Sequence, residues 1–175
     1  MKRLALFLVV IGFASRFLPH LPNFTALGAV TLFSGFYLRG RERWLVPFAV
    51  MLLSDVILNF AIYRMGFAPD QLMVYAAIGL NILLAGSLAG QSLGKRLLYG
   101  VPLSSFNFFL LTNFGVWLWS GLYARTLPGL VQCYVAAIPF LGYEFFSNAI
   151  YSLALFSAYE LVHHWKFSRL SVTAW

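Results

Sequence analysis

Long apolar runs broken by short polar knots make up this chain. The runs cover Leu4 to Leu18, Asn23 to Leu38, Trp44 to Tyr63, Leu72 to Gly94, Leu103 to Tyr123 and Tyr143 to Val162. A helix rises about 1.5 Å per residue and needs roughly 20 residues to cross the hydrocarbon of a bilayer. The last four runs are long enough, and the first two are short. Pro19 and Pro22 interrupt the helix between those two, so the pair reads either as two spans or as one re-entrant hairpin. A further stretch, "PGLVQCYVAAIPF" (Pro128 to Phe140), is apolar, too short to cross and bounded by prolines. It predicts a short helix lying at the interface or packed into the mouth of the bundle.

The basic residues arbitrate topology. If all six runs cross, Lys2, Arg3, Arg39, Arg41, Arg43, Lys95, Arg96, Lys166 and Arg169 share one side, nine of the 12 Lys and Arg, which leaves Arg16, Arg64 and Arg125 for the other. The positive-inside rule then supports six spans with both termini cytoplasmic, and the Pro128 to Phe140 helix on the outer side. A hairpin that re-emerged on its own side would keep the same charge placement. The expected fold class is therefore an all-α integral membrane protein, a bundle of six transmembrane helices with a short outer interfacial helix, in one membrane-embedded domain over residues 1–175. Met1 to Ser15, with Lys2 and Arg3 ahead of an apolar run, also has the make-up of a signal peptide. We read it as an uncleaved first span, because the topology uses those basic residues.

Composition narrows the classes further. With 61% hydrophobic and 10% charged residues, and a mean hydropathy of +0.82, a soluble fold would have no polar coat. The net charge of +7 sits in short clusters between apolar runs rather than in a stripe, which argues against nucleic acid and for a lipid bilayer as the main partner. One cysteine, Cys133, excludes an internal disulfide and any multi-cysteine metal site. His163 and His164 are adjacent and cannot share one helical face. The chain contains no HExxH, GxSxG or phosphate-binding glycine loop, so no enzyme activity is expected, and no cofactor is named by the sequence.

Polar residues instead gather in the outer halves of the runs. "RFLPHLPNF" (Arg16 to Phe24) forms the first external loop and offers Arg16, His20 and Asn23, the last placed to cap the second helix. Asp55 lies in the third run, where an unpaired charge costs on the order of 3 kcal/mol, and Asn59 follows one turn later on the same face. Asn113 and Trp117 share a face of the fifth run, and Glu144, Asn148 and Tyr151 form a stripe on the sixth. Each alone would serve as a helix-to-helix hydrogen bond, and Arg16 with Glu144 as a structural ion pair. Together they predict a cavity open to the outside, with Arg16, His20, Asn23, Asp55, Asn59, Asn113, Trp117, Glu144 and Asn148 as candidate ligand-binding residues. Gly86, Gly90 and Gly94 repeat at four-residue spacing in the fourth run. Such a small-residue face packs helices closely within the bundle, or docks other membrane subunits.

The segments "RFLPHLPNFTALGAVTLFSGFYL", "LLSD", "TNFGVWL" and "RTLPGLVQCYVAAIPF", in that order, resemble an uncharacterised family of small bacterial membrane proteins, a DUF6580-like domain of unknown function. That family is grouped with the substrate-binding S components of energy-coupling factor transporters. The resemblance implies a six-helix protein of the bacterial inner membrane that captures a micronutrient from outside and works with an ATP-using transporter partner. S components pair alanines on the first helix, whereas here Ala5 is followed four residues later by Val9.

The expected function is thus a transport-type protein binding a small external solute, anionic or amphipathic, in an outer-half cavity. In that expectation Arg16 and His20 meet its polar groups, Asn59 and Asn113 orient it, Trp117 stacks on it, and Glu144 pairs with Arg16 or meets the ligand. The alternative is a structural subunit of a larger respiratory or photosynthetic complex, whose neighbours or pigments would cover the surface supplied by 18 Phe, 9 Tyr and 5 Trp.

Overall fold

The computed structural model describes residues 2–172, and side chains from Arg3 to His163. The side chains of Lys2, His164, Lys166 and Arg169 lie outside that description. Six helices and no strand occur among the described residues: α1 (Lys2–Ser15), α2 (Leu27–Tyr37), α3 (Glu42–Val56), α4 (Gln71–Ser87), α5 (Leu93–Trp119) and α6 (Leu127–Val172). Three are long and apolar enough to cross a membrane: α3 with its continuation to Ile62, α5, and α6 as far as His163. At 14, 11 and 17 residues, α1, α2 and α4 are shorter.

The shortest helix is the centre. Nine of the eleven residues of α2 are buried, from Leu27 to Phe36, and α2 touches each of the other five helices. It is about 16 Å long, half the hydrocarbon thickness. Its lower part, Leu32, Phe33 and Phe36, packs on Phe156 of α6 and on Ile82 of α4 in the main apolar core. The start of α2 is clasped to the end of α1 by Ser15, whose hydroxyl donates to the Gly12 carbonyl (2.8 Å) and accepts from the Ala26 N–H (3.0 Å). That clasp satisfies one amide that the first turn of a helix would otherwise leave bare.

The exterior is apolar like the core, and polar groups are enclosed within the bundle. Leu45, Leu52, Leu53 and Val56 of α3 and Phe60 of its continuation point outward, while Asp55, Asn81, Ser104, Ser105, Asn148 and Ser152 are buried. Lipid-facing surfaces are apolar for the same reason that polar groups turn inward, since hydrocarbon offers them no hydrogen bonds.

Three expected boundaries differ. The fourth apolar run divides earlier than Gly94: α4 ends at Ser87, turns through 88–92, and α5 begins at Leu93, so that Lys95 and Arg96 lie in its first turn. Ser92, extended at φ −61° and ψ 156°, starts α5, and Arg96 locks the turn by donating to the carbonyls of Gln91 (2.8 Å) and Ala89 (2.5 Å). The Pro128 to Phe140 stretch is no separate interfacial helix but the first part of α6. Pro128 sits in the first turn, where its missing N–H is no loss. Pro139 is passed without a break because the stretch is held along α5: Tyr134 donates to the Leu110 carbonyl (2.7 Å) and Cys133 to that of Asn113 (3.4 Å). The third difference concerns Gly86, Gly90 and Gly94, which fall on two helices and the turn between them. Around Gly90 and Gly94 the space is open, and Gly86 is covered by the guanidinium of Arg43, so no helix of this bundle packs closely on the three.

The close helix approach lies at Gly35 instead. A side chain there would overlap Ala85 of α4 and come within 2.9 Å of the Ile82 carbonyl. Gly35→Ala is therefore expected to lower stability by about 1–3 kcal/mol, whereas Gly90→Ala stays within about 0.5 kcal/mol of the parent. Thermal unfolding of the two variants in the same detergent checks the assignment, and a reversed order would refute it.

Candidate functional site

The C-terminal ends of α1 and α3 and the N-terminal ends of α2 and α4 meet at one end of the bundle. There Arg16 leaves α1 and enters it. Its Nη1 lies 2.8 Å from Asp55 Oδ1, and also donates to Ser54 Oγ (2.7 Å) and the Met51 carbonyl (3.3 Å). The other Asp55 oxygen accepts from Tyr75 Oη (3.1 Å) and Gln71 Nε2 (3.4 Å), both on α4. Asp55 is 2% exposed, so this carboxylate is sealed among α1, α3 and α4 and fully engaged. The expected Arg16–Glu144 pair is not formed. Arg16 follows directly on the last turn of α1, and α1 packs on α3, which carries Asp55, and not on α6.

Beside this pair opens a cavity of about 310 Å³, lined by residues of α2 to α6 and of the loop after α1. Its apolar wall includes Leu27, Leu58, Val74, Ile78 and Phe108. Its polar edge brings together Arg16, His20, Asn23, Asp55, Asn59 and Glu144, six of the nine candidate residues. Two of those six have polar atoms that are buried without a hydrogen-bond partner, Asn59 Nδ2 and Glu144 Oε2. Asn59 sits in a π-helical turn, Ile57–Ile62, that continues α3 and in which Tyr63 N–H reaches the Leu58 carbonyl (2.7 Å). Such widened turns recur at functional sites because they rotate side chains out of the regular helical stripe. Glu144 approaches the first turn of α2 through Gly28, where an added Cβ would come within 3.2 Å of Glu144 Oε1 and 3.0 Å of Asn148 Cγ. The positive end of the α2 dipole thus lies against the Glu144 carboxyl.

His20 is exposed at the mouth, its Nδ1 2.8 Å from the Leu21 carbonyl oxygen. Asn23 does not cap α2. It takes a left-handed backbone, φ 61°, and the helix starts at Leu27 with Thr25 Oγ1 accepting its N–H at 3.5 Å. The remaining candidates lie elsewhere. Asn113 donates to the Phe109 carbonyl (2.8 Å) and lines an adjoining recess of about 200 Å³, which shares Asn23, Val74, Phe108 and Glu144 with the cavity. Trp117 closes the loop after α5 by donating to the Ala124 carbonyl (2.9 Å), out of reach of the cavity. Asn148 stands behind the wall: its amide donates to Ser104 Oγ (2.9 Å) and Ser105 Oγ (3.1 Å), and its oxygen accepts from Ser152 (3.2 Å). Helical spacing put these three on a common side with true lining residues, but their hydrogen-bonding capacity is used locally.

Gln71, Tyr75 and Asn81 were missed by reasoning on the sequence. Gln71 and Tyr75 are spaced i, i+4 at the start of the fourth run, facing Asp55. Asn81 is a lone amide in "LNILL"; it donates to the Ser104 carbonyl (3.1 Å) and accepts from Asn107 (2.8 Å). Both signals, a polar i, i+4 pair and a lone Asn in an apolar run, were present in the chain.

Asn148→Ala would take a hydrogen-bond partner from three buried serine hydroxyls, Ser104, Ser105 and Ser152, and is expected to lower stability by about 2 kcal/mol. Glu144→Gln keeps the size of the side chain and removes a buried unpartnered charge, so it should leave stability within about 1 kcal/mol of the parent or raise it. Thermal unfolding of both variants measures this, and a larger loss for Glu144→Gln would mean that Glu144 is structural.

No curated protein and no solved structure matches the chain. A family model described as a family of unknown function, DUF6580, matches residues 2–170. The geometry above thus belongs to a member of the DUF6580 family.

Proposed function

We propose that this chain is a transport-type protein of the bacterial inner membrane that binds a small external solute in the cavity between its helices. The observation that carries this reading is the cavity itself: a space with an apolar wall and two buried polar atoms without a hydrogen-bond partner, Asn59 Nδ2 and Glu144 Oε2, on its edge. Buried polar atoms are normally satisfied, and those left open in a concave site mark where a ligand completes the bonding.

Charge supports the orientation. At the end of the bundle away from the cavity, Arg39, Arg43 and Arg96 surround a second opening lined by α2 to α6. The positive-inside rule makes that end cytoplasmic and the cavity end external. In this reading the short helices α1, α2 and α4 complete a six-pass bundle with both termini in the cytoplasm, the loops making up the missing length. The chain performs no reaction of its own, and a partner uses any ATP, as in the S components that its sequence resembles. A role as a subunit of a larger membrane complex is the competing reading, and the outward Leu and Phe side chains suit lipid and protein neighbours equally.

Two measurements test the proposal. Reporters fused to the C-terminus should be active only as cytoplasmic reporters. Protein purified from its native membrane should carry one small molecule at near-equal molar amount by mass spectrometry, and Val74→Trp, which fills the cavity wall, should lose it. A solute-free protein that instead co-purifies at fixed ratio with the subunits of one respiratory or photosynthetic assembly would overturn the transport reading.

A further inference from the structure

We infer that the solute taken by this cavity is a small organic cation: an amphipathic molecule whose protonated nitrogen lies against Glu144 while its apolar body rests on Phe108, Val74 and Ile78. The inference rests on the solute-binding reading and adds the charge of the ligand to it.

Among the described residues Arg16, just after α1, Asp55 and Glu144 are the charged side chains that line the cavity, with His20 exposed at its mouth. The first two neutralise each other at 2.8 Å. Arg16 directs Nη1 at Asp55, Ser54 and Met51, and Asp55 directs its second oxygen at Tyr75 and Gln71. A ligand anion would have to pull Arg16 away from a carboxylate that is sealed in the bundle, leaving that carboxylate unpaired. The expectation of an anionic solute held by Arg16 therefore fails on the geometry. Glu144 is the charge left over. It is 8% exposed, its Oε2 has no hydrogen-bond partner, and it lies against the start of α2 with no ion pair to a cationic side chain among the described residues.

The neighbours of Glu144 define what can complete it. Phe108 lines both the cavity and the adjoining recess beside Glu144, and an aromatic face attracts an ammonium group while rejecting an anion. Asn59 Nδ2 offers one free donor for an acceptor atom on the same ligand, such as a hydroxyl or carbonyl. A bare metal ion does not fit, because no group of three His, Cys, Asp or Glu side chains converges among the described residues. One carboxylate, one amide donor and an apolar wall suit an organic ammonium. The volume of about 310 Å³ is at the small end of ligand cavities, which limits the solute to a compact molecule.

The charge of the cavity can be read without knowing the solute. Val74→Cys, in a Cys133→Ser background, places one reactive thiol on the cavity wall of the full-length protein in lipid nanodiscs. Its modification rates are then compared for three methanethiosulfonate reagents of similar size: cationic aminoethyl, anionic sulfonatoethyl and neutral methyl, each normalised to a free thiol in solution. The expected result is entry of the neutral reagent and a cation-to-anion ratio of about ten or more, the size one uncompensated carboxylate gives at close range in a partly desolvated site. Glu144→Gln should bring the ratio to about one without altering the neutral rate, and Glu144→Asp should retain the preference. A parent ratio at or below one overturns the cation inference and leaves the solute cavity standing. A preference that survives Glu144→Gln also overturns it, because another group would carry the charge. Failure of the neutral reagent to react would refute the open cavity, and with it both readings.

Discussion

A carboxylate sealed among helices must find a cation, and the pairing of Asp55 with Arg16 governs the rest of this structure. The pair fixes the end of α1 against α3, and the second Asp55 oxygen draws in Tyr75 and Gln71 of α4. Three helices are thus tied at one end of the bundle by a single buried group. Gln71 extends the tie into the chain before α4, its Oε1 accepting the Ala68 N–H at 3.0 Å. Removing either charge leaves the other uncompensated in a medium that solvates it poorly, so the network holds as a unit or fails as one. The same pairing sets the electrostatics of the neighbouring cavity, since it cancels the one guanidinium that reaches in and leaves Glu144 as the odd charge.

The centre of the bundle solves a different problem. A helix as short and as buried as α2 needs close neighbours on every side, and its sequence supplies small residues where they approach. Gly35 admits Ala85 and the backbone of α4, and Gly28 admits Asn148 and Glu144 of α6. Thr31 turns its hydroxyl back to the Leu27 carbonyl at 2.8 Å and so enters the interior without a cost in unmet hydrogen bonds. Behind it, Asn81, Asn107, Ser104, Ser105 and Asn148 knit α4, α5 and α6 together through side-chain hydrogen bonds. The polar interior thus includes a hydrogen-bonded lattice that holds helices and several atoms without a partner, of which Asn59 Nδ2 and Glu144 Oε2 belong to residues that line the cavity.

Much of this was legible in the amino-acid pattern. The helical class follows from the apolar runs, and the convergence of Arg16, His20, Asn23, Asp55, Asn59 and Glu144 on one space follows from their similar depth. Depth along an axis says nothing of rotation about it. Asn148 and Glu144 share a helical stripe, yet one meets serines and the other the cavity. Partner choice was hidden for the same reason: Arg16 had two carboxylates at comparable depth, and only the packing of α1 on α3 selects Asp55. The fused α6 was obscured by Pro139, a residue whose local preference is outweighed by contacts with α5. Small-residue spacing misled at Gly90, because a turn inside an apolar run has no hydropathy signature.

The central claim is that Arg16 belongs to Asp55 and not to Glu144. Two double-mutant cycles on unfolding free energy, Arg16→Met with Asp55→Asn and Arg16→Met with Glu144→Gln, measure it directly. The account predicts a coupling of about 2 kcal/mol or more in the first cycle and additivity within about 0.5 kcal/mol in the second. Strong coupling of Arg16 to Glu144, with none to Asp55, would contradict it.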